Sequence, residues 1–171
     1  MTMPMLAKVD PETARRALVI GALAVRARHA AETVRSDGWS PLPYQVPPDT
    51  AGSWDVWVLM AGLGTGKTFA GAHAVCAHAQ GPACLPGAVP HRIAIVSTTD
   101  GDAVDTCVRG ETGLLAANPT IKFSPGARLA ADLTWRNGAE AQLFGAFAPE
   151  DVERFRGPQH CLIWAKPPAS G

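Results

Sequence analysis

Residues Ala61-Gly62-Leu63-Gly64-Thr65-Gly66-Lys67-Thr68 combine three glycines, a lysine and two hydroxyls within eight positions. Those types at that spacing suit the holding of phosphate. Glycines let backbone N–H groups turn inward around an anion, where a side chain would obstruct the approach. Lys67 is placed to reach the β- and γ-phosphates of a nucleotide, and Thr68 to hold Mg²⁺. The full pattern asks for glycine at the first position, where this chain has Ala61, a small substitution. A ligand-free glycine turn is the bland alternative.

The elements around the loop weigh against that alternative. Trp57-Val58-Leu59-Met60 reads as a short apolar strand running into the loop, and Lys67 to about Gln80 reads as an Ala-rich helix. Strand, glycine loop, helix is the setting in which such a loop binds phosphate, with the helix start adding its positive dipole end. Farther on, Ile93-Ala94-Ile95-Val96 and Cys161-Leu162-Ile163-Trp164-Ala165 are continuous apolar runs of the kind expected of buried parallel strands. Residues 100–117 read as one helix with Val104, Cys107, Val108, Leu114 and Leu115 inward. Leu133–Trp135 and Ala141–Phe144 flank Arg136-Asn137-Gly138, a hairpin signal. Residues Pro11 to Arg35 read as an amphipathic helix, and Glu150 to Arg154 as a short helical turn. Strands alternate with helices, so the expected class is α/β with a mostly parallel sheet.

The chain has 171 residues and a formal net charge of zero, which argues against a free-standing DNA binder with a global basic field. Cys76, Cys84, Cys107 and Cys161 form no CxxC pair and read as reduced, buried thiols. His73, Cys76 and His78 lie close in sequence but lack a fourth zinc ligand, so that set reads as structural. The apolar run after Arg15 and Arg16 is too short to span a membrane and is closed by Arg26 and Arg28. The expected location is the cytoplasm.

Several stretches together resemble the large subunit of tailed-phage terminases, ATP-driven motors that package double-stranded DNA. They are Trp39, Tyr44-Gln45-Val46-Pro47-Pro48, Trp54 and Trp57, then the phosphate loop with Ala70-Gly71-Ala72. Residues Arg92 to Pro119, the Leu133–Phe144 hairpin and Glu153 to His160 continue the match in order, over about residues 39 to 165. The resemblance implies a P-loop NTPase of RecA-like form, a three-layer sandwich with a mostly parallel sheet, incomplete at its C-terminal end. It implies ATP and Mg²⁺ as cofactors, with double-stranded DNA, a portal protein and a small terminase subunit as partners, and a ring as a possible assembly. It assigns nucleotide contacts to Ala61, Gly62, Gly64, Thr65, Gly66, Lys67 and Thr68, adenine recognition to Gln45, and base stacking to Tyr44. Arg154 and Arg156 fall where such motors place arginine fingers, a solvated surface position being an equal alternative.

The chain also departs from the family. Leu63 and Phe69 stand where many members carry Arg. The family's last strand here runs into an Asp-Glu pair that holds the metal shell and polarises water. In this chain Leu162-Ile163-Trp164-Ala165 runs into Lys166-Pro167-Pro168. The domains read as an N-terminal helical segment (1–38), a partial ATPase domain (39–165) and a tail (166–171), with no nuclease domain. An out-of-frame tail is one account of the break. Loss of a later strand would leave Val58 to Met60 with unpaired edges. The expected function is that of a truncated, hydrolysis-deficient terminase large subunit. The alternatives are a non-hydrolysing nucleotide-binding or interaction module from a decayed prophage, and an unrelated P-loop kinase or helicase-like ATPase.

Overall fold

The computed structural model describes residues 39–47, 55–126, 131–146, 148, 151, 153 and 159–166. The expected N-terminal helix, Trp54, Arg154, Arg156 and the tail beyond Lys166 lie outside the described residues. Among those described, five strands form one sheet: β1 (Arg92–Ser97), β2 (Lys122–Phe123), β3 (Leu133–Thr134), β4 (Glu140–Gly145) and β5 (Leu162–Ala165). Their order is β2-β3-β4-β1-β5. β1 runs parallel to both β4 and β5, while β2-β3 and β3-β4 are antiparallel. The class is α/β with a mixed sheet. Its parallel part is β4-β1-β5, extended by a short antiparallel ribbon.

Register explains which face is buried. Ile93 pairs with Ala141 and Leu162, Ile95 with Leu143 and Trp164, and Ala141 also with Leu133. Side chains alternate across a strand, so these residues share one face. They form or pack against a single apolar cluster with Val75, Cys76, Cys107, Val108 and Leu114 from the connecting helical segments and Ile121 from the stretch before β2.

Helix α1 (Lys67–Gln80) crosses this face. Its sequence is rich in alanine, which favours helix at no cost in side-chain entropy. Small residues also let it approach the sheet closely: a Cβ on Gly71 would sit 2.5 Å from the Trp164 indole nitrogen. The helix stops at Gly81, whose N–H donates to the His78 carbonyl at 3.1 Å.

Several expectations need correction. Residues 100–117 are not one helix. A helical turn (Asp100–Asp102) passes into a π segment (Ala103–Val108), and a separate short helix α2 (Leu114–Ala117) follows. The Thr106 hydroxyl donates to the Asp102 carbonyl at 2.6 Å, competing for the group a regular helix would use. The Arg109 N–H reaches back five residues to Val104. Gly110 and Gly113 then allow the break, since a Cβ at either would fall 2.8 or 2.7 Å from a preceding carbonyl oxygen. Of the five residues expected to face inward, Cys107, Val108 and Leu114 are fully buried, and Val104 and Leu115 are half-buried.

Second, Trp57 to Met60 pairs with no described strand. Val56, Val58 and Met60 are 75, 67 and 87% exposed, alternating with half-buried Trp57 and Leu59. The period is that of a strand. An apolar run becomes one only where a neighbour accepts its backbone hydrogen bonds. Third, β5 is an edge strand with Ile163 58% exposed, and the thiols divide: Cys76 and Cys107 are buried, Cys84 is exposed and Cys161 half-buried. The hairpin turn is as expected. Gly138 has φ +86°, and the Asn137 side chain accepts from the Ala139 N–H.

Candidate nucleotide-binding site

The glycine loop enters α1 through a left-handed residue. Gly66, the N-cap, has φ 77° and ψ 19°, and Gly64 has φ 74°. Side chains rarely adopt that region. Gly66 is constrained twice, because a Cβ there would also lie 2.8 Å from Gln45 Nε2. No side chain caps the helix start. The first N–H groups of α1 are therefore left for an anion, in the field of the helix dipole.

Within the loop, Thr65 Oγ1 donates to the Gly62 carbonyl at 2.8 Å. The Lys67 ammonium donates to the carbonyls of Ala61 at 2.7 Å and Gly62 at 2.5 Å. The cation thus closes the loop upon itself, using acceptors that phosphate oxygens can replace. Leu63 stands out at the loop, 87% exposed.

The structure brings Tyr44 and Gln45 against the same loop. Both side chains donate to the Thr65 carbonyl, Gln45 Nε2 at 3.0 Å and the Tyr44 hydroxyl at 3.3 Å. Gln45 Oε1 accepts from the Leu42 N–H at 2.8 Å, and the residue is 7% exposed. Each end of that amide retains one further hydrogen-bonding position. Trp39 anchors the segment, stacking on His73 at 4.1 Å and meeting Phe69 edge-on at 5.3 Å. Phe69 therefore serves as packing for the segment that carries Gln45.

At the carboxyl ends of the parallel strands Lys166 joins a polar network around Asp102. Lys166 extends β5, its N–H donating to Val96 at 2.8 Å, so its position at the strand end is fixed by the sheet. Its ammonium contacts both Asp102 carboxylate oxygens at 3.1 Å. Ser97, at the end of β1, and Thr106 also donate to that carboxylate. Asp102 is held below the ordinary carboxylate range, first by the Ser97 hydrogen bond and then, against the opposing effect of burial, by Lys166 and Thr106. One signal for it was available: Thr99 three residues before Asp102 is a helix-start pattern, and the Thr99 hydroxyl accepts from the Asp102 N–H at 3.0 Å.

The loop therefore fits the phosphates of a nucleotide. The strand end fits magnesium poorly: it presents a cation, and the nearby carboxylate is already engaged by that cation.

No helix among the described residues is long and apolar enough to cross a membrane. No curated protein and no solved structure matches the chain. A family model described as the N-terminal part of the terminase large subunit, T4likevirus-type, matches residues 58–166, from just before the glycine loop to the lysine that follows β5. The chain belongs to the terminase large subunit family.

Proposed function

We propose that this chain is an ATP-binding part of a motor that packages double-stranded DNA, and that it turns ATP over negligibly. Binding rests on loop 61–68: the uncapped start of α1, the left-handed glycines and the Lys67 ammonium favour a triphosphate. Thr68, in the first turn, is the residue for Mg²⁺, and Tyr44, 45% exposed, offers a ring to the base beside the remaining positions of the Gln45 amide. Within the family's machinery the partners are double-stranded DNA, a portal protein, a small terminase subunit and further copies in a ring, inside a bacterial host.

One observation carries the second clause. By the resemblance, Lys166 stands at the strand end that would carry the family's acidic pair, and its ammonium pairs with the Asp102 carboxylate at 3.1 Å. Phosphoryl transfer relies on a held metal and a positioned water, and these supply much of the barrier reduction. A fixed ammonium supplies neither.

Titration with a fluorescent ATP analogue, alongside a phosphate-release assay, tests both clauses against Lys67→Ala. Saturable binding lost in that variant, with release at the variant's level, is the expected result. Phosphate release clearly above Lys67→Ala would defeat the second clause. Absence of binding to the unaltered chain would defeat the first.

A further inference from the structure

Four side chains of metal-ligating type converge at the end of α1 remote from the glycine loop. His78 lies in the last turn of α1, Cys84 in the loop that follows, His91 just before β1 and Cys161 just before β5. One ligand atom from each lies within 4.8 Å of the ligand atoms of the other three. His78 Nε2 is 3.2 Å from Cys161 Sγ and 3.9 Å from Cys84 Sγ, and His91 Nδ1 is 3.7 Å from Cys161 Sγ. A tetrahedral zinc with bonds of ~2.0–2.3 Å sets neighbouring nitrogen and sulfur ligands ~3.5 Å apart. The three separations bracket that value.

The outer contacts agree. His91 Nε2 lies 3.2 Å from the Gly81 carbonyl, which can only accept, so Nε2 carries the proton and Nδ1 presents its lone pair to the cluster. Ligating histidines are oriented in this way by a backbone carbonyl on the other ring nitrogen.

We infer that His78, Cys84, His91 and Cys161 form a structural zinc site that clips the end of α1 to the starts of β1 and β5. Two sulfur and two nitrogen donors suit zinc rather than magnesium or calcium. Binding releases the two thiol protons, leaving two thiolates and two neutral imidazoles around Zn²⁺, with no net charge. His73 and Cys76, the pair conspicuous in the sequence, take no part. Both are buried in the helix body, with His73 against Trp39. The site lies at the opposite end of α1 from the nucleotide loop, so its failure and that of the ATP reading are separable.

The test is elemental analysis of the purified chain with Co²⁺ titration of chelator-treated protein. The expected results are about one zinc per chain and the intense visible absorption of tetrahedral Co²⁺ with thiolate charge transfer. Cys84→Ser, at an exposed position, removes most of the metal and the charge-transfer band, whereas Cys107→Ala retains both. Zn²⁺ raises the melting temperature of the unaltered chain but not of Cys84→Ser. Sub-stoichiometric zinc with a weak octahedral Co²⁺ spectrum overturns the assignment. So does a Cys84–Cys161 disulfide found by mass spectrometry in protein kept under reductant.

Discussion

The two ends of α1 gather functional groups in opposite ways. At its start, residues 61–68 are contiguous, and among the described residues Tyr44 and Gln45 come from elsewhere to hydrogen-bond to the loop. At its end, His78, Cys84, His91 and Cys161 come from four separate segments. The first arrangement needs a local backbone path, set by glycines with positive φ. The second exists only once the helix has docked on β1 and β5. Between them Gly71 sits against Trp164, so a contact that seats the helix on β5 lies between the two ends, nearer the loop.

The comparison can be broken at several points. Gly66→Ala has the largest expected effect, a loss of about 2–4 kcal/mol, because it forces a side chain into the left-handed region and against Gln45. A denaturant midpoint measures the loss. If the two ends are independent, the zinc content of whatever protein remains folded is unchanged. Gly71→Ala comes next, at about 1–3 kcal/mol from overpacking against the indole. It should disturb both ends together, read as a lowered melting temperature with weaker ATP-analogue and Co²⁺ binding. An unchanged melting temperature would show that the helix does not rest on Trp164.

Gln45→Ala sharpens the description of the loop end alone. It leaves the Leu42 N–H and one acceptor position on Thr65 unmatched, a cost of about 1–2 kcal/mol in stability. Analogue affinity should fall while metal content stays constant, and a fall in both contradicts the separation of the two ends.

Lys166→Ala has the smallest expected effect, below about 1 kcal/mol, because the ion pair is partly solvated. Its signature is in the pH dependence. The folded-state pKa of Asp102 is lowered from the reference value of 3.8. Its contribution is therefore complete above that value and fades as pH falls through the lowered one. Stability profiles of the unaltered chain and Lys166→Ala should converge in acid below that window. A difference that persists there excludes the carboxylate as Lys166's working partner.

The regions differ in the same way in how far they could be read in advance. Helix Lys67–Gln80, strand Arg92–Ser97 and the turn at Asn137-Gly138 were legible because short-range rules govern them: alanine content, a continuous apolar run, and a glycine where φ must be positive. Trp57 to Met60 keeps the period of a strand but pairs with no described one, in line with the unpaired edges expected for it, since an apolar run cannot specify its partner. The π segment escaped because it depends on the Thr106 hydroxyl reaching the Asp102 carbonyl, a choice that helical periodicity does not reveal. Lys166 was visible as a departure from the family's acidic pair. Its bond to Asp102 was not, since 64 residues separate the two.

The amino-acid sequence by itself determined the loop, the helix that follows it and the family, because each is written in adjacent residues whose backbone conformations are locally constrained. The fold alone decided that a strand-end lysine would capture Asp102, and that two histidines and two cysteines with no recognisable spacing would meet. Contacts between distant segments follow from how apolar faces stack and strands register. That geometry is a property of the assembled sheet and helix, and no short window of residues contains it.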